Sequence, residues 1–162
     1  RRVDAERRLR AWGRRSGVRV SILRVPGIYA ADRLPLQRLR AGTAALRAEE
    51  DVFTNHIHAE DLAGIVLDAL ARGRAQRAYN ASDASAMKMG DYFDLVSQAF
   101  GLPAPPRVSM QEAQRTLPPA LLSFMRESRR LDNRRLLREL RTRLRYPSVL
   151  EGVAAARAAA TA

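Results

Sequence analysis

Two histidines, four tyrosines and an excess of arginine make up most of the chain's chemically capable side chains. His56 and His58 are the only histidines, and they stand two residues apart. On a strand, that spacing points both rings to the same face, a geometry a metal could use. No cysteine is present to join them, and Glu60 and Asp61 fall beyond the expected strand end, so no metal site is expected. Tyr29 and Arg33 form a Tyr-x-x-x-Arg pattern, but no tyrosine has a lysine four residues later. Arg24, Arg129 and Arg130 could grip an anion bidentately. The competing reading, a solvated basic face, is preferred for them.

The elements that must position these groups centre on residues 17–29, GVRVSILRVPGIY. Val18, Val20 and Ile22 alternate with polar residues, and then Leu23 and Val25 break the alternation. This predicts one strand buried on both faces at its far end, as in a parallel sheet. Pro26 cannot donate to a ladder, and Gly27 permits a tight turn or close approach to a ligand. In open α/β sheets, ligands sit beyond the carboxyl ends of strands, which is where VPGIY would lie.

Around that strand the periodicity predicts mostly helices. Residues 1–16 read as an amphipathic helix with Val3, Leu9 and Trp12 on its buried face and Gly13 weakening its last turn. Residues 32–41 form a short helix interrupted by Pro35. Residues 43–47, 55–58 and 78–81 read as short strands. A helix from Glu60 to about Ala71 buries Leu62, Ile65, Val66, Ala69 and Leu70. Its acidic first turn is explained by capping and the helix dipole. Further helices cover 89–100, with Gly101 as the stop, then 110–117 and 120–126. Val108 begins an edge strand. Asn133 caps a helix that buries Leu136, Leu137 and Leu140, and Ser148 caps the last one.

Four stretches together resemble the later half of an extended, atypical short-chain dehydrogenase/reductase of the NAD(P)-dependent epimerase/dehydratase type. They are the I-L-R strand running into P-G-x-Y (residues 22–29), NHIHAEDL (55–62), RAYNAS (77–82) and RRLDNRRLLREL followed by Tyr146 and Pro147. The resemblance implies an α/β fold: the C-terminal part of a Rossmann-like, doubly wound parallel sheet, over 1–83, plus a small helix-rich substrate-binding cap, over 84–162. It implies NAD or NADP as cofactor, with Val25, Pro26, Gly27 and Tyr29 on the nicotinamide side. An ordinary packed tyrosine is the equal alternative for Tyr29. Arg33, Asn55 and His56 would face a small-molecule substrate, and His58 would pack.

Two departures bear on the substrate. The family's glycines in Y-G-P-G are replaced by Ala30, Ala31 and Asp32, and the arginine that often holds a sugar diphosphate is matched by Thr54. Both weaken a nucleotide-sugar substrate. The glycine-rich phosphate loop and the Tyr-x-x-x-Lys pair of the family are absent from this sequence. Pyrophosphate is normally held by backbone N–H groups at a helix N-terminus. The tyrosine is the normal agent of proton transfer. The chain, which starts on Arg1 inside a helical pattern, is therefore expected to be part of a longer protein. Its N-terminal half would be the missing partner, a homodimer is a further option, and the chain alone should bind NAD(P) weakly or not at all.

Composition sets the remaining bounds. The 162 residues suffice for one domain with a real core. Without cysteine there are no disulfides, which fits a cytoplasmic location. No apolar run reaches membrane-spanning length. The net charge of +12 rests on arginine, with Lys88 the single lysine. Compositional bias is preferred over nucleic-acid binding as its cause. Two other functions stay in view: a non-catalytic NAD(P)-binding scaffold or sensor of the same fold, and a basic nucleic-acid-binding protein.

Overall fold

The computed structural model describes residues 2–161; Arg1, which opens the first expected helix, lies outside them. The 17–29 stretch, expected as one strand stopped by a turn at Pro26 and Gly27, holds two strands. β1 (Ser21–Arg24) pairs in parallel with β6 (Arg77–Asn80), from Ser21 opposite Arg77 to Arg24 opposite Asn80. The chain breaks at Val25 and Pro26, and β2 (Gly27–Tyr29) pairs in parallel with β5 (His56–His58) instead. Two further pairs are minimal: β3 (Ala45–Leu46) with β8 (Arg107–Val108), parallel, and β4 (Phe53–Thr54) with β7 (Met87–Lys88), antiparallel.

The helices fall close to where the periodicity put them. α1 spans Arg2–Ser16, α2 Leu36–Arg40, α3 Ala59–Arg72 and α4 Met89–Phe100. α5 spans Met110–Thr116, α6 Pro119–Met125, α7 Arg134–Leu140 and α8 Val149–Ala159. A single 3₁₀ turn, η1 (Ala31–Arg33), follows β2. α4 ends at Gly101, whose φ of 63° is the left-handed conformation that a glycine adopts without a side-chain penalty.

Three apolar clusters hold these elements. The largest joins Tyr29, Leu34, Leu39 and Ala45 to Tyr92, Phe93 and Val96 of α4 and to Val149, Val153 and Ala156 of α8. The second joins Ile57, Ile65, Tyr79 and Ala81 to Leu136 and Leu140 of α7. The third gathers Leu46, Ala113 and Met125. The first two draw residues from either side of Asp83. α7 is also tied to β6 by polar contacts. Arg77 donates to both carboxylate oxygens of Glu139 at 3.0 and 2.8 Å, and the Tyr79 hydroxyl joins them at 3.2 Å. The guanidinium holds the Glu139 carboxyl below its usual range.

Several helix faces differ from expectation. Val3, Leu9 and Trp12 of α1 are exposed, by 60%, 50% and 48%. The inward face of α1 instead runs through Glu6, Arg10 and Gly13, four and three residues apart. Gly13 is buried because the helix packs there on the segment that leads into β1 and on Gln76, which precedes β6. A Cβ would stand 2.6 Å from Val20 Cγ2 and 2.9 Å from the Val18 carbonyl. Glu6 accepts two bonds from Arg24, each 2.8 Å, and this pair lowers the Glu6 pKa. Val66 and Leu70 of α3 are exposed, as is Leu137 of α7. Burial on both faces of the central strand is not found either: residues 21–23 are half-buried, and Val18 and Val25 are exposed. For α1 and the central strand the reason is shared. Among the described residues β1 has a strand neighbour on one edge only, so its second edge and the outer face of α1 meet nothing.

The close approach at Gly13 is directly testable. Gly13→Ala should destabilise the chain by about 1–3 kcal/mol through overpacking against Val20. Gly64→Ala, in open space on α3, should instead stabilise it by about 0.5–1 kcal/mol. Urea unfolding monitored by circular dichroism distinguishes the two, and equal effects would contradict the packing of α1.

Candidate functional site

The carboxyl end of β6 opens onto a cleft of about 190 Å³ lined by Thr54, Asn55, 83–86 and 130–133. Its wall is built by asparagine. Asn55 donates to the Arg129 carbonyl (2.8 Å) and accepts from the Leu131 amide (2.8 Å), so its carboxamide fastens the 129–131 segment beside β5. Asn80 donates to the Asp132 carbonyl at 3.0 Å. Asn133 donates to the Ser82 carbonyl at 2.8 Å. Asn133 does sit at the N-cap of α7, but its side chain serves this strand-end contact rather than the helix. Arg130 lies over the Phe53 ring, 5.0 Å from its centroid, and Arg129 pairs with Glu127.

Behind the cleft lies a buried aromatic and polar layer. The His56 ring faces Tyr92 at 4.3 Å and meets Tyr29 edge-on at 6.2 Å. His58 meets Tyr29 edge-on at 5.2 Å and faces Tyr146 at 4.0 Å. Both histidines are buried, as are Ser82 and Asp83. His56 Nδ1, Ser82 Oγ and Asp83 Oδ2 are sealed from solvent with no protein partner. Burial pushes the His56 pKa down to about 4 and that of Asp83 up to about 6. Their backbones are joined: the Asp83 amide donates to the His56 carbonyl at 2.8 Å. Burial also raises the Tyr29 and Tyr92 hydroxyls above their ordinary range.

The residues singled out from the sequence divide as follows. Gly27, Asn55 and His56 come together: Gly27 stands opposite His56 in register, and its amide donates to the Asn55 carbonyl at 3.1 Å. Val25 and Gly27 are exposed, and Pro26 is half-buried beside them. Tyr29 is 2% exposed and donates to the Ser148 carbonyl at 3.3 Å. Arg33 is exposed on η1 and lines neither this cleft nor a second one at the carboxyl ends of β2 and β5. Arg24 is engaged by Glu6. Among the described residues no cluster of metal-ligating side chains exists.

Sequence reasoning missed Asp61, Asp83 and Tyr92. Asp61 looked like a first-turn acid serving the dipole. It is instead buried, and its two oxygens accept from the amides of Arg145 (2.7 Å) and Tyr146 (3.0 Å). No local signal separates such a carboxylate from an ordinary N-terminal one.

The comparison with solved structures decides the architecture. A functionally unknown conserved protein from Silicibacter pomeroyi superposes with a TM-score of 0.75 at 29% identity, over 88% of this chain and 49% of that one. The chain has a Rossmann-like α/β fold, shared with structures that include epimerases. A human epimerase family protein, crystallised with NADPH, matches at 0.70 and 19% identity, over 86% and 48% of the two chains. A UDP-glucose 4-epimerase from Thermotoga maritima, crystallised with UDP-glucose, matches at 0.72 and 17%, over 96% and 50%. The chain thus spans about half the length of these structures. No family model and no curated protein sequence matches it. Among the described residues no helix is long and apolar enough to cross a membrane.

Two predictions follow from this layer. Asp61→Asn places an N–H₂ group against a backbone donor and should cost about 2 kcal/mol of stability; a midpoint equal to the parent's in urea would exclude the clamp. The pH dependence is the second. His56 binds its proton more weakly folded than unfolded (about 4 against 6.5), so its contribution falls as pH drops from 6.5 to 4. Asp83 binds its proton more tightly folded (about 6 against 3.8), so its contribution falls as pH rises from 4 to 6. The two oppose each other in the parent. Asp83→Asn should expose stability that rises from pH 4 to 6.5, and His56→Gln stability that falls from pH 4 to 6. Thermal midpoints across that range check both, and parallel profiles would refute the assignment.

Proposed function

We propose that this chain is the substrate-side portion of an NAD(P)-dependent epimerase, dehydratase or reductase. The parent protein passes a hydride between a nicotinamide and a substrate carbinol. The observation carrying this reading is the unpaired edge of β1 together with the exposed Val3, Leu9 and Trp12 of α1. An apolar helix face and an open parallel strand are normally covered. A dinucleotide-gripping N-terminal half of the same protein would cover them, in keeping with solved structures about twice this length.

On this reading the main chain at Val25, Pro26 and Gly27 borders the nicotinamide, because it follows the carboxyl end of β1 with Val25 and Gly27 exposed. A bound nicotinamide would supply or accept the hydride; this chain's residues orient and enclose. The cleft at the end of β6 takes the substrate, with Asn55 shaping its wall and Arg130 the one cation on it among the described residues. With Thr54 where a diphosphate-binding arginine often stands, a small neutral substrate fits better than a nucleotide sugar. Arg33 and His56 are assigned to the substrate side with less direct support: Arg33 is remote from the cleft lining, and His56 lies behind it.

The chain by itself should show no NAD(P)-dependent turnover. Extended upstream of Arg1 in its reading frame, it should bind NADPH, and Gly27→Leu in that longer protein should weaken binding about tenfold by crowding the cofactor edge. Its single tryptophan, Trp12, should lose iodide quenching in the longer protein. Turnover by the short chain, or equal quenching in both, would overturn the reading.

A further inference from the structure

The open edge of β1 accounts for the bare face of α1 but not for that of α3. Between Glu60 and Arg72 the exposed positions of α3 are Ala63, Gly64, Val66, Leu67, Leu70 and Ala71, and none is charged. Leu67 and Leu70 are 68% and 73% exposed. The two acids inside that span are turned aside, Asp61 to the amides of Arg145 and Tyr146, and Asp68 to Arg72 and Thr142. The outer face of a surface helix is normally charged or polar. A contiguous apolar strip there marks a contact surface, without naming what covers it.

Charge and register name the occupant. α3 begins acidic, at exposed Glu60, which gives one oxygen to Arg145 at 2.7 Å. It ends basic, at Arg72, with exposed Arg74 just beyond. A second α3 laid antiparallel brings Glu60 of each copy to Arg74 of the other and opposes the two helix dipoles. With a two-fold axis at Leu67, the same pairing sets Leu70 of each copy over Gly64 of the other and Ala63 beside Ala71. Gly64 has open space where a Cβ would stand, a gap that can receive a leucine side chain. An isologous interface requires such self-complementarity, in which residue i meets j and j meets i. The apolar face of α1 does not offer it. Arg7, Arg8, Arg14 and Arg15 are exposed on that helix, and two copies of a chain of net charge +12 would meet there with like charges.

We propose that α3 is the contact helix of a homodimer, its apolar strip covered by the α3 of a second copy across a two-fold axis at Leu67. A helix of 14 residues is about 21 Å long. Its strip covers less than the ~800 Å² per partner of a standard interface, so the dimer is weak, with a Kd on the order of 10 μM.

Sedimentation across that concentration range should show a monomer–dimer equilibrium. Leu70→Arg should weaken it by about tenfold, while Trp12→Arg, on the outer face of α1, should leave it unchanged. A chain that stays monomeric, or a dimer that Leu70→Arg leaves intact, would overturn the proposal. Glu60→Arg alone and Arg74→Glu alone each set like charges opposite and should each weaken self-association. Mixed in equal amounts, the two variants should form a heterodimer in which both pairs are opposite again. Its absence would overturn the antiparallel register. The chain has no cysteine, so Leu67→Cys introduces a single thiol, and a short bis-maleimide should join two copies through it. In the protein extended upstream of Arg1 the same crosslink is expected. A monomeric longer protein whose thiol at this position resists the reagent would give the strip to the missing half and overturn the dimer. None of these readouts involves a nicotinamide, so they are independent of the oxidoreductase reading.

Discussion

Pro26 has no amide hydrogen to give a ladder, and the arrangement of the whole chain follows from where it sits. The last rung between β6 and β1 is the Ala81 amide to the Arg24 carbonyl, at 2.9 Å. Beyond it the chain cannot continue the same ladder, and from Gly27 it pairs with β5 instead. One run of nine residues thereby serves two parallel pairs. The carboxyl end of β6 opens onto one crevice and the carboxyl ends of β2 and β5 onto another. β5 lies between the crevices, with Asn55 at its start and His58 at its end.

The polar contacts that fix this arrangement act on backbone rather than on one another. Asn55, Asn80, Asn133 and Asp61 each hold a peptide group of a segment distant in sequence. A carboxylate or carboxamide can satisfy two backbone groups at once, which irregular segments near a sheet end cannot do for themselves. The arginine excess is used in a related way. Arg24, Arg77 and Arg107 pair with carboxylates on other elements, and Arg72 and Arg135 donate to carbonyls of Leu140 and Ala78. These guanidiniums act as cross-braces between elements, a role suited to a planar fork of donors.

Much of the element layout was legible because it rests on local chemistry. Gly101 stops α4, Ser148 with Glu151 forms the capping box of α8, and the alternating and helical periods locate most strands and helices within a few residues. What failed was the choice of buried face. α1 offers Val3, Leu9 and Trp12 as the apolar stripe, but Gly13 is the position that lets the helix approach Val18, Val20 and Gln76, and it turns Glu6 and Arg10 inward with it. Closeness of approach outranks hydrophobicity when the apolar stripe has nothing to meet.

The candidate site divides along the same line. Gly27, Asn55 and His56 were identifiable from a strand, a turn and their order in the chain. Asp83 and Tyr92 were not, since the identity of a neighbour across space leaves no mark on the residues beside it in sequence. The amino-acid order by itself determined an α/β chain, its punctuation and the residues near one strand end. Only the tertiary structure decided which carboxylate is buried, which histidine nitrogen is sealed with no protein partner, and which helix faces stay open. Those outcomes depend on desolvation and distance between segments, and both exist only once the chain has packed.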